Sequence, residues 1–160
     1  MEDKLLNLVV DTFVKHGLTA ACLPATMILS ELLDKFNIPN RIIDGWLYLP
    51  QIQKSVVYHL FVTVAGSSND PDDIRWLDPG KDAMNNIFRT TEYRTVLNIP
   101  EGYQRADLDT FTEMRNYSSI KALLERYEED GVMIWAGAPK KYLLARKDIM
   151  DKLESPPKRK

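Results

Sequence analysis

Apolar residues recur along the first third of the chain with a helical period. Leu5, Leu6, Val9, Val10, Phe13 and Val14 form one stripe, which predicts a helix over about Asp3–Lys15. Gly17 follows where a helix ends in a left-handed residue. A second stripe, Ala25, Ile28, Leu29, Leu32, Leu33 and Phe36, predicts a helix from about Cys22 to Phe36. Pro24 is tolerated only near the start of such a helix, because the first turn needs no backbone N–H donor. Cys22 is thereby placed at the helix N-terminus, on the side that turns to the core.

The period then changes. Asn37-Ile38-Pro39-Asn40 breaks the helix, and Arg41–Leu49 suits a strand. Ser55–Ala65 is almost wholly apolar, β-branched or aromatic, as a central buried strand requires. Gly66–Asp73 is a turn-rich loop, and Ile74–Leu77 is a third short strand, closed by Asp78-Pro79-Gly80 as a turn. Farther on, Ser118 or Ser119 can cap a helix through Glu128 that ends at Asp130-Gly131. Val132–Ala136 suits a strand and Lys140–Leu153 a terminal helix. Helices followed by strands and then a mixed tail predict an α+β domain over residues 1–153. Residues 154–160, with Pro156, Pro157 and a basic end, suit a solvated tail.

Composition narrows the function. With 160 residues and a net charge of −2, the chain has a core large enough for a preorganised site and no whole-molecule field for nucleic acid or an anionic membrane. No basic, apolar leader opens it, and no apolar run approaches the roughly 20 residues of a transmembrane helix. The single cysteine cannot form an internal disulfide, so a soluble protein of a reducing compartment, the cytoplasm, is expected. His16 and His59 are the only histidines and stand in different elements, which argues against a metal site. No nucleotide fingerprint follows any predicted strand, and no cofactor is implied.

What remains is the cysteine. At a helix N-terminus, unpaired backbone N–H groups and the helix dipole favour a thiolate and can hold a tetrahedral oxyanion. Such a nucleophile needs a base and a group to orient the base. His59 lies mid-strand among apolar neighbours, where an imidazole needs polar partners. Asp78 ends the next strand, where antiparallel pairing can bring it to the His59 ring. Taken singly each has a plainer reading: a core-filling thiol, a structural histidine, a turn aspartate. Their order and setting favour a Cys22–His59–Asp78 triad.

These segments resemble the transglutaminase-like superfamily of thiol enzymes, over about Leu18 to Gly80. The resemblance rests on ACLPATMILSELLDKF opening with Cys22, on NIPNRIIDGWLYLP, on YHLFVTV around His59, and on RWLDPG around Asp78. The family commonly has glycine where Asn37 stands, and a Trp and Glu pattern after the histidine where this chain has Leu60–Thr63. The resemblance implies a papain-like core, its nucleophile helix packed on an antiparallel sheet. Cys22 would be nucleophile, His59 general base and acid, and Asp78 orienter, acting through a thioester. Peptide, protein or small amide substrates are implied, with hydrolysis by a peptidase or amidase favoured. No calcium-loop pattern of the crosslinking transglutaminases is present.

Two alternatives stand beside hydrolysis: amide formation with an amine acceptor, and a non-catalytic binding module on the same fold. Outside the resemblance, an α+β interaction protein with Cys22 as core filler is the plainest rival. Trp46, Tyr48 and Tyr58 are candidates to line a substrate groove, with Gln51–Lys54 and Gly66–Asp73 as its rims or lids. His16, Thr19 and Trp46 are open as oxyanion donors.

Overall fold

A computed structural model describes residues 1–18, 22–106 and 139–154. Among these residues the chain forms four helices and a curled, mainly antiparallel sheet, an α+β arrangement. The helix expected from Ser118 or Ser119, the strand at Val132–Ala136, Thr19 and the tail beyond Glu154 lie outside them.

Helix α1 (Glu2–Lys15) buries Leu5, Val9, Val10 and Phe13, the stripe that its period requires. Gly17 follows with φ +65°. Helix α2 (Cys22–Lys35) starts at the cysteine and buries Ala25, Ile28, Leu29, Leu32 and Leu33. Strands β1 (Asn40–Tyr48) and β2 (Ser55–Ala65) pair antiparallel, from Asn40 opposite Val64 to Tyr48 opposite Val56. Strand β3 (Ile74–Leu77) pairs on the other edge of β2, with Leu77 opposite Val62.

Three elements lie outside the expected pattern. Asp78-Pro79-Gly80 is not a closing turn but the start of helix α3 (Pro79–Phe88). Asp78 is its N-cap, with proline at the first helical position, a pattern that starts helices as readily as it makes turns. Strands β4 (Thr95–Val96) and β5 (Gln104–Arg105) are two residues each, too short for any period. β4 extends the sheet beyond β1, and β5 runs parallel beside the start of β2. Helix α4 (Pro139–Glu154) closes the described chain, its Ala145 and Ile149 buried with α1 and α2.

Alternation divides the sheet into two faces. Leu60, Val62 and Val64 turn toward the helices, where Val62, Val64 and Leu77 join the main core. His59, Phe61 and Thr63 turn the other way and are also buried.

The edge of β2 facing β3 is interrupted. β3 pairs with residues 62–65 and β5 with residues 55 and 56, so among the described residues no strand pairs with this edge of β2 between them, while β1 runs along the other edge. Val56 accepts the amide of Ala106 on this edge, and the strand's alternation turns the Leu60 carbonyl to the same side. The buried Thr26 hydroxyl of α2 donates to that carbonyl at 3.1 Å. A helix side chain thus completes the ladder where a strand is missing, and it fixes the start of α2 one residue from His59. Thr26→Val removes this donor without changing shape and leaves a buried carbonyl unpaired. It is expected to cost about 1–3 kcal/mol in urea unfolding, and a loss below roughly 0.5 kcal/mol would contradict the role.

Candidate active site

The three residues singled out by the sequence meet in this interrupted edge. Continuing the β2–β3 register by one residue sets Asp78 opposite Phe61. Asp78 and His59 are therefore diagonal neighbours on one face. The His59 ring donates from Nε2 toward both carboxylate oxygens of Asp78, at 2.7 Å and 2.9 Å. That leaves Nδ1 for the Cys22 side chain, which shares a hydrogen bond with the ring. Cys22 is half-buried, while His59 and Asp78 are 1% and 4% exposed. Phe61 stacks beside His59, ring planes 19° apart, and itself packs on Trp76.

The carboxylate of Asp78 is held from three sides. Besides His59, it accepts the backbone N–H of Lys81 at 3.1 Å, which caps α3. It also accepts the hydroxyl of Thr95 in β4. β4 lies at the opposite end of the sheet order from β3, so only a strongly curled sheet allows this contact. Gly45, paired with His59 across β1 and β2, is part of that curl. A Cβ there would lie 2.6 Å from the Val96 carbonyl oxygen, so only glycine lets β4 approach this closely. Thr95 was not legible in the sequence: a threonine in a two-residue strand gives no periodic signal.

Charge follows from these contacts. Burial by itself pushes the His59 pKa down, yet the charge and hydrogen bond of Asp78, aided by the bond to Cys22, raise it to about 10. Burial pushes Asp78 up, and here too the partners win. His59, Thr95 and the Lys81 amide hold its carboxyl below the ordinary range. At neutral pH the pair is imidazolium and carboxylate.

Gly80 sets the approach of the nucleophile. A Cβ on Gly80 would stand 2.7 Å from Cys22 Cα and 2.9 Å from Cys22 Cβ. The start of α3 and the start of α2 therefore touch backbone to backbone, which presents the thiol to the ring that Asp78 orients.

The expected groove residues fall elsewhere. Trp46 and Tyr58 lie on the helix-facing side of the sheet, opposite the His59 ring, and are 4% and 7% exposed. Their rings pack edge to face, in a cluster with Leu23 and Leu60, and the Tyr58 hydroxyl donates to Asp44. They are core side chains, and the structure does not bring them to the triad. Tyr48 is half-buried against Tyr103 and Arg94, in a separate cleft that Lys54 and Ile52 also line. Gly66–Asp73 joins β2 to β3 six residues beyond His59, roughly 20 Å along the strand. It is tied to itself by Gly66 N–H to Asp73 carbonyl and does not rim the site. Gln51–Lys54 sits at the other hairpin, roughly 13 Å or more along β2 from His59. His16 bonds Asp148 of α4, far from the oxyanion position that the resemblance would need, and Trp46 is in the core cluster. Among the described residues, no group of three or more His, Cys, Asp or Glu is placed to hold a metal ion.

Two outcomes follow from this packing. Gly80→Ala must push the two helix starts apart. It is expected to cost about 1–3 kcal/mol and to slow alkylation of Cys22 by roughly tenfold or more, and an unchanged alkylation rate would contradict the close approach. The His59–Asp78 pair also makes stability depend on pH. The raised His59 pKa stabilises the fold fully below about 6.5, and this is lost as pH rises through about 10. The lowered Asp78 pKa stabilises it above the ordinary carboxyl value of 3.8, and this is lost on acidification. Between pH 6.5 and 10 the advantage of the native protein over His59→Gln should shrink, by on the order of 1.4 kcal/mol per pH unit at most. Thermal melts across that range test it, and a constant difference would rule it out.

Compared with protein families, with curated proteins and with solved structures, the chain has no match.

Proposed function

We propose that this protein is a thiol-dependent acyl-bond enzyme of the transglutaminase-like type, acting as a peptidase or amidase through a thioester on Cys22. The observation that supports it most is the continuous chain of contacts from the Cys22 thiol through His59 to Asp78, at the start of a helix. A core-filling cysteine has no need of a hydrogen-bonded imidazolium. A structural histidine has no need of a thiol.

Each residue has a task set by its surroundings. Cys22, as thiolate, attacks the carbonyl carbon of an amide, and a C–S bond forms as the carbonyl oxygen takes the negative charge. The backbone N–H of Cys22, at the helix start, would donate to that oxygen. His59 gives the Nδ1 proton to the leaving nitrogen, the C–N bond breaks, and the acyl group stays on sulfur. His59, now neutral, takes a proton from water as the water attacks the thioester, and Cys22 leaves as thiolate. Asp78 does not change charge. It fixes the ring with Nδ1 toward sulfur and stabilises the imidazolium. An amine in place of water would give amide formation, with every other step the same.

The test is the rate of Cys22 alkylation by iodoacetamide against pH, in the native protein and in His59→Ala. The single cysteine makes the readout specific. Reactivity persisting well below the pH at which a free thiol ionises, about 8.5, and lost in His59→Ala, is the expected result. An identical profile in both proteins would sink the proposal.

A further inference from the structure

Thr95 stands apart from the three residues that the proposed reaction uses, yet its hydroxyl reaches the same carboxylate. Asp78 Oδ1 is shared by His59 and the Lys81 amide, and Oδ2 by His59 and Thr95. Without the Thr95 hydroxyl, Oδ2 keeps one partner, and the carboxylate is free to turn about its Cβ–Cγ bond toward the helix cap it also serves. The hydroxyl comes from β4, at the far end of the sheet, and Gly45 lets that strand approach. A threonine that only filled space here would leave half of a buried carboxylate short of partners, which is costly.

We propose that Thr95 is a positioning residue of this site: its hydroxyl holds both Asp78 oxygens on His59 Nε2, and so sets the lower pH limit at which the imidazolium is held. This deepens the thiol-enzyme reading and rests on it for its role in catalysis, but its physical content concerns Asp78 and His59 alone. The groups that bear on the Asp78 carboxylate are His59 from β2, Thr95 from β4, and the Lys81 amide and Asp82 carboxyl of α3. Cys22 of α2 bears on it through the His59 ring. Asp82 is paired with the Lys81 ammonium at 3.4 Å, so its charge is partly offset. Of the donors to Asp78, Thr95 contributes the only side-chain hydroxyl among the described residues, and a substitution can remove it while leaving both the Lys81 amide and the His59 ring in place.

The experiment compares Thr95→Val, which keeps the shape and removes the hydroxyl, with Thr95→Ser, which restores it. Thr95→Ala removes the hydroxyl without adding a methyl group and serves if the valine variant does not fold. The first readout is NMR titration of the Asp78 carboxyl and of the His59 ring nitrogens, easily assigned because the chain has two histidines. The second is the pH profile of Cys22 alkylation. Losing a donor to a carboxylate raises its pKa. The expected result is therefore an Asp78 titration moved up by about 1 pH unit in the valine or alanine variant. The acid limb of the alkylation profile should move with it, and the serine variant should return both to the native position. An Asp78 titration that stays in place without the hydroxyl would overturn the assignment, as would a serine variant shifted as far as valine. If instead the Asp78 shift is seen while native Cys22 shows no His59-dependent reactivity, Thr95 keeps its hold on Asp78 and it is the thiol-enzyme reading that fails.

Discussion

A charged imidazole and a carboxylate, each almost fully buried, can coexist with a stable fold only if the desolvation of both is compensated. Direct attraction between His59 and Asp78 supplies part of that, and the remaining lone pairs must still be filled. Here they are filled by elements that otherwise have little to do with one another: the first turn of α3 through the Lys81 amide, and the far strand β4 through Thr95. Much of the architecture follows from this need. α3 must begin at Asp78, since its cap is the carboxylate itself. The sheet must curl enough for β4 to reach across it. Gly45 must lack a side chain, and so must Gly80, for the thiol to stand beside the ring.

The interrupted edge of β2 solves a second problem. A continuous strand partner along residues 57–61 would seal that edge, and no helix start could reach the His59 ring. Ending β3 at Leu77 opens the edge, and the Thr26 hydroxyl takes over one of the backbone bonds that a strand would have made. The same helix carries Cys22 one turn earlier. Closing the ladder and aiming the thiol are thus done by residues four apart on one helix face, which is the spacing that puts side chains above each other.

What the sequence disclosed, and what it concealed, divides along physical lines. Long amphipathic or uniformly apolar segments were legible, because burial imposes a period: α1, α2, β1, β2 and α4 stand within a residue or two of their expected bounds. Asp78 beside His59 was also legible, since a polar residue in an apolar strand demands a partner and the next strand had one to offer. α3 was hidden by Asp-Pro-Gly, which serves a turn and a helix start equally well. β4, β5 and Thr95 were hidden because two residues carry no period, and their placement depends on how far the sheet curls. Trp46 and Tyr58 misled for a related reason. An aromatic ring on a strand points to either face, and the register that sends His59 to one side sends both of them to the other.

The charge state of His59 bears on how such a site would work. An imidazole raised to about 10 is almost never neutral at physiological pH, so as a base toward a neutral thiol it would be nearly always occupied. On the thiol-enzyme reading this is no handicap. The acid that the leaving nitrogen needs is then already on the ring before any substrate binds. Once that proton is given away, the high proton affinity that Asp78 imposes makes the neutral ring a strong base toward water in the second half of the reaction. A weaker hold by Asp78 would ease the first proton transfer and slow the second. On that same reading, the burial and full hydrogen bonding of the carboxylate would favour the second proton transfer, the one that frees the acyl group from sulfur.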